Sequence, residues 1–66
     1  MNVWLNGTLT DTRGASSVAE LAENFGLAAH TVLIEHNGTA LLQREWTGCH
    51  LEEADRLEFV RIVAGG

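Results

Sequence analysis

Two Asn-Gly dipeptides, Asn6-Gly7 and Asn37-Gly38, each close a run of strand-forming residues, and the one stretch with helical periodicity lies between them. Both residue types tolerate the positive φ angles of a tight hairpin turn, so each dipeptide sends the chain back antiparallel to the strand before it. Ahead of the first turn, Met1, Val3 and Leu5 alternate with Asn2, Trp4 and Asn6, the period of two of a strand with one buried face. After it, Thr8-Leu9-Thr10-Asp11-Thr12 is rich in β-branched residues with a single large apolar side chain. It reads as a lightly buried strand at a sheet edge. Thr31 to His36 predicts a third strand before the second turn, and Thr39 to Leu42 a short fourth strand after it.

Between the turns, Ser17-Val18-Ala19-Glu20 matches a capping box, in which the serine hydroxyl and the glutamate each take one unpaired backbone N–H. A helix is predicted from there to Phe25. Val18, Leu21, Ala22 and Phe25 lie on its buried face, Glu20, Glu23 and Asn24 face water, and Gly26 ends it. A helix this short is stable only when packed on a sheet. Gln43 to Glu53 has no clean period and is expected to be irregular, pinned by Trp46 and Leu51. Arg56 to Val63 is a last strand whose apolar parity changes between Phe59 and Val60. That pattern fits either a strand apolar on both faces or a bulge. The order predicts an α+β fold, a mixed four- to five-stranded sheet packed on one helix. The first and last strands are expected side by side and parallel at its centre, because no hairpin joins them.

Sixty-six residues suit one small domain spanning residues 1–66, and an apolar content of 45% suits a folded one. The single cysteine, Cys49, leaves no intrachain disulfide to form, and a cytoplasmic protein is expected. A formal charge of −5 opposes a phosphate backbone, so no nucleic-acid partner is expected, and a partner with a basic docking surface is favoured. No run approaches the roughly 18 apolar residues that span a bilayer, and no basic n-region of an export signal precedes the first strand. Neither membrane nor export is expected. Lysine is absent.

The chain ends Val63-Ala64-Gly65-Gly66 directly after its last strand. The plain reading of Gly-Gly there is a frayed end. The chemical reading is a flexible tail, residues 63–66, that enters a partner's active-site channel: glycine brings no Cβ, so only backbone has to fit. Four extended residues reach roughly 13 Å. The reactive group is then the α-carboxylate of Gly66, presented by Val63, Ala64 and Gly65.

The hairpin around Asn6-Gly7, the helix from Val18 to Phe25, Arg44-Glu45-Trp46, Asp55-x-Leu57 before the last strand, and the terminal Val63-Ala64-Gly65-Gly66 together resemble the sulfur carrier proteins of thiamine (thiazole) biosynthesis. The resemblance covers essentially the whole chain and implies a ubiquitin-like β-grasp fold. The Gly-Gly end is shared with the small subunit of molybdopterin synthase and with ubiquitin-like modifiers. Length, Arg44 to Trp46 and the Ala-Gly-Gly ending favour the thiamine carriers. The chain departs from that family where members often carry Asp-Gly-Asp and it has Glu53-Ala54-Asp55.

What the resemblance implies is a protein cosubstrate, not an enzyme. An adenylyltransferase of the ubiquitin-activating-enzyme type joins the Gly66 carboxylate to AMP from Mg·ATP. Sulfur from a cysteine desulfurase then converts it to a thiocarboxylate, and thiazole synthase takes that sulfur. The chain itself is expected to bind no cofactor and no metal. Other sulfur carriers, of the molybdopterin type or for other acceptors, a protein modifier joined to target lysines, and an inert interaction module remain as alternatives.

Elsewhere the residues favour structural readings. No basic cluster near Cys49 argues for an activated thiol, so it reads as a small semi-buried residue. His30, His36 and His50 lack metal-ligand spacing. Trp46 reads as a core plug. Trp4 points away from Val3 and Leu5, and on a parallel sheet Val60 and Ile62 join it on the face opposite the helix. That patch reads as a docking surface, the alternative being partial cover by the loop around Trp46. Arg61, near the root of the tail, is a candidate for orienting a partner through an acidic residue.

Overall fold

In the computed structural model, which describes residues 1–62, Asn6 and Gly7 adopt φ of 50° and 82°, and Asn37 and Gly38 of 50° and 88°. Each pair joins two antiparallel strands. The first turn links β1 (Asn2–Leu5) to β2 (Thr8–Asp11), and the second links β3 (Val32–His36) to β4 (Thr39–Leu41). The last strand, β5 (Arg56–Arg61), runs parallel to β1 and antiparallel to β3, giving a five-stranded sheet of order β2-β1-β5-β3-β4. β5 is thus the central strand, and β1 lies beside it as its pattern predicts. The β3–β5 register runs without interruption from His36↔Leu57 to Val32↔Arg61, so the parity change in β5 reflects two apolar faces and no bulge.

One helix, α1 (Val18–Asn24), covers one face of this sheet. Its first N–H groups are all met: Val18 donates to Cys49 O, Ala19 to Trp46 O, and Glu20 to Ser17 Oγ at 3.1 Å. The Glu20 carboxylate reaches one residue past the expected box partner and accepts from both N and Oγ of Ser16, at 2.8 and 2.7 Å. At the other end Gly26 (φ 67°) donates to Glu23 O and Leu27 to Ala22 O, a Schellman closure that uses the glycine as expected. Leu21, Val18, Val3, Ile34 and Leu57 are buried at the helix–sheet interface. Phe25 packs at its margin, with the Arg13 guanidinium 4.7 Å from the ring centre. The loop from Gln43 onward closes the same side. Trp46 and Leu51 are buried there, and its backbone supplies the acceptors at the helix start.

Ala54 has φ of 69°, a conformation in which the β-carbon of an L-residue is crowded, within a turn closed by Asp55 N donating to Glu52 O. The turn forms with alanine rather than glycine at this position, at a cost in backbone strain. Ala54→Gly relieves the strain and returns part of the gain as unfolded-chain entropy. It is expected to raise stability by roughly 0.5–1 kcal/mol in urea titration. A loss of stability would show that the turn holds alanine without strain.

Candidate functional site

Strand register decides which side chains share the sheet face opposite α1, because partners across a ladder project to the same side. Trp4 pairs with Leu9 of β2 and with Arg56 of β5, and Leu33 of β3 pairs with Val60. All four apolar side chains are open to solvent: Trp4 is 42% exposed, Leu9 52%, Leu33 58% and Val60 48%, with Ile62, the next same-face position, at 51%. Trp4 and Val60 are not neighbours. Val60 lies four residues beyond Trp4's partner Arg56, about 13 Å along the strand. The face therefore carries two apolar clusters, Trp4 with Leu9 and Leu33 with Val60 and Ile62, separated by Arg56, Glu58 and Glu35. A shallow depression of about 280 Å³ beside Trp4 is lined by Gly7, Arg56, Leu57 and Glu58.

Leu9 and Leu33 were not legible as members of this face. Leu9 reads as the buried residue of a light strand, and Leu33 sits in a run of three apolar residues whose outward member a sequence cannot select. The signal that would have found them is the register itself: once Leu9 is set opposite Trp4 and Leu33 opposite Val60, both must point outward. The loop around Trp46 lies on the helix side, so it does not cover this face.

Arg61 pairs with Val32 and projects to the other side of the sheet from Val60, exposed at the end of β5. It stands at the root of the following segment without joining the apolar clusters. Ile62, the last described residue, donates its N–H to Thr31 O at 2.8 Å. Val63, Ala64, Gly65 and Gly66, to which the sequence assigns the tail chemistry, lie outside the described residues.

The titratable groups nearer the core have structural partners. Asp55 is 8% exposed and accepts from His36 Nε2 at 2.8 Å, Asn37 Nδ2 at 3.1 Å and the backbone N–H of Glu52 at 2.9 Å. Burial disfavours its charge, but these donors outweigh burial and hold its carboxyl below the ordinary carboxylate range. The Cys49 thiol is pushed up, by burial first and then by the charges of Asp55 and Glu45, which is the wrong direction for a nucleophile. Among the described residues no three His, Cys, Asp or Glu side chains gather as a metal site, and no helix is long and apolar enough to cross a membrane.

The depressed Asp55 carboxyl has a consequence for acid stability. A group whose folded pKa lies below its unfolded value of about 3.9 stabilises the fold above that value and loses the contribution as pH falls through the folded pKa. Asp55→Asn is expected to cost about 1–3 kcal/mol at neutral pH, and the gap from wild type to narrow below about pH 4. Urea midpoints of both proteins between pH 7 and pH 3 measure this. A gap independent of pH would assign the loss to packing alone.

One helix laid across a mixed five-stranded sheet, with the last strand central and parallel to the first, defines a ubiquitin-like β-grasp protein, and here the sheet's free face is partly apolar. Residues 3–66 match the ThiS family, and the chain belongs to it. It is similar to the crystal structure of the thiamine biosynthesis protein ThiS from Geobacter metallireducens, with 32% identity, all of both chains covered and a TM-score of 0.82. It is also similar to the solution structure of a thiamine biosynthesis protein from the same organism. There the identity is 32%, the TM-score 0.79, and the match covers all of this chain and 88% of the other. No curated protein matches the chain.

Proposed function

We propose that this chain is a sulfur carrier whose Gly66 carboxylate is adenylated and then converted to a thiocarboxylate that supplies sulfur for thiazole formation in thiamine biosynthesis. The observation that carries the reading is the family match, which extends through Gly66. The whole-chain likeness to a thiamine biosynthesis protein supports it.

The chemistry follows from the carboxylate. With a pKa near 3.5 it is anionic at neutral pH and resists nucleophiles, so it must first become a mixed anhydride. A partner adenylyltransferase uses Mg·ATP for that step and releases pyrophosphate. A persulfide sulfur, drawn from a cysteine desulfurase, attacks the carbonyl carbon. The bond to AMP breaks, and a thiol attacks the donor's sulfur in the resulting acyl disulfide, forming a disulfide with the donor and releasing the thiocarboxylate. Thiazole synthase accepts the sulfur. Acid, base and metal belong to the partners, and the chain is their cosubstrate. It contributes the reactive end, Val63 to Gly65 as the part that enters the channel, and the free sheet face with Trp4, Val60 and Ile62 as docking surface. Arg61 orients the partner from beside the tail. The net charge of −5 speeds encounter with a basic surface, and a single free thiol suits a reducing cytoplasm.

Intact mass of the protein recovered from cells tests the reading. A fraction heavier by the difference between sulfur and oxygen, located at Gly66, is expected. Recovery only as higher-mass amide conjugates would overturn it in favour of a protein modifier.

A further inference from the structure

β5 is held unequally on its two sides, and the inequality is greatest where the chain leaves the sheet. On the β3 side pairing continues to the end: Val60 and Arg61 face Leu33 and Val32, and Ile62 N donates to Thr31 O. On the β1 side the strand ladder stops at Leu5↔Leu57, with Asn6 N donating to Leu57 O at 2.9 Å as the last bond between main chains. There β1 turns away at Asn6-Gly7. The next rung is made by a side chain. Asn6 Oδ1 accepts from Phe59 N at 2.8 Å, and Asn6 Nδ2 donates to Phe59 O at 3.3 Å.

The residue type is demanding. A primary amide on a one-carbon arm supplies an acceptor and a donor to the two main-chain groups of one residue, and asparagine also tolerates the φ of 50° that the turn imposes. Aspartate keeps the acceptor but sets a carboxylate against Phe59 O. The second Asn-Gly turn holds the opposite end of the strand with one carboxamide bond and one main-chain bond. Asn37 Oδ1 accepts from Arg56 N at 2.8 Å and Asn37 N donates to Arg56 O at 2.8 Å. One asparagine therefore grips the start of β5 and the other grips it three residues before Ile62.

We propose that Asn6 is a positioning residue for the exit end of β5: its carboxamide replaces the missing β1 rung, holds β5 at Phe59, and so steadies the strand end at Ile62 from which the reactive segment is offered to a partner. The proposal rests on the carrier reading above. Without the clamp, Phe59 joins Val60 to Ile62 in being held from the β3 side alone, and the partner must immobilise at binding a strand end that the clamp now steadies.

Asn37 supplies the control, since its carboxamide oxygen holds the same strand away from the exit, at Arg56 N, while its Nδ2 bonds Asp55. Asn6→Gly and Asn37→Gly both keep the positive φ and remove a carboxamide. Thermal midpoints, amide hydrogen exchange, and kcat/KM for carrier adenylation well below both midpoints are measured for each. Asn6→Gly is expected to speed exchange at Phe59 and Ile62 more than tenfold and to lower kcat/KM about tenfold. Asn37→Gly is expected to lower the midpoint while leaving Ile62 exchange and kcat/KM within twofold of wild type. Equal losses of kcat/KM in the two variants, or none in Asn6→Gly, would overturn the assignment. If wild-type chain accepts no sulfur, the carrier reading falls by itself. The exchange comparison then decides for Asn6, and unchanged Ile62 exchange in Asn6→Gly rejects it.

Discussion

Removing Gly66 is expected to abolish the gain of sulfur when the chain is incubated with its adenylyltransferase, Mg·ATP and a sulfur donor. The truncated chain still ends in a glycine carboxylate, but one that stops about 3.5 Å short of the nucleotide. Near-attack geometry is lost over roughly 1 Å, so the shortened end fails to react although its chemistry is unchanged. Gly65→Phe keeps the length and places a ring where only backbone fits. A drop of at least about a hundredfold is expected. Cys49→Ser is expected to leave the reaction intact, since burial and the neighbouring carboxylates disfavour that thiolate. Intact-mass spectrometry reads all three. If the mass gain survived loss of Gly66 and vanished with Cys49, the chain would be a persulfide protein.

The second large effect concerns the free face of the sheet. Trp4→Asp and Val60→Asp are each expected to weaken binding to the adenylyltransferase by at least about 2 kcal/mol, close to thirtyfold in Kd, as for central interface residues. Both side chains are more than two-fifths exposed and lie outside the helix-side core, so both variants should keep the wild-type fold. Because the two residues sit in separate clusters, the docking surface is read as spanning both, and Leu9→Asp and Leu33→Asp are expected to weaken binding as well. Titration calorimetry at two salt concentrations separates this apolar loss, which salt leaves nearly unchanged, from loss of charge steering, which salt screens. Wild-type affinity in the Trp4 and Val60 variants would remove the face from the interface.

Much of this protein was decided within short stretches of sequence. The two reversals follow from Asn-Gly, because those residues carry positive φ at little cost wherever they stand. The helix is bounded by Ser17 and Gly26 because a cap acts on N–H and C=O groups within one turn of itself. Parallel pairing of β1 with β5 was expected as well, but the missing hairpin only allows it, since β3 and β5 lack one too and pair antiparallel. The family resemblance, carried largely by the terminal Ala-Gly-Gly, pointed to the fold and to the carrier role. Tertiary structure decided what depends on register. Leu33, one of three successive apolar residues, faces outward only because it lies opposite Val60, and Leu9 only because it lies opposite Trp4. Asp55 gained His36 and Asn37 as partners from 19 and 18 residues away, and Asn6 found Phe59 across 53. Turns and caps draw on neighbours in the chain, whereas register and side-chain clamps need strands brought together from opposite ends of it.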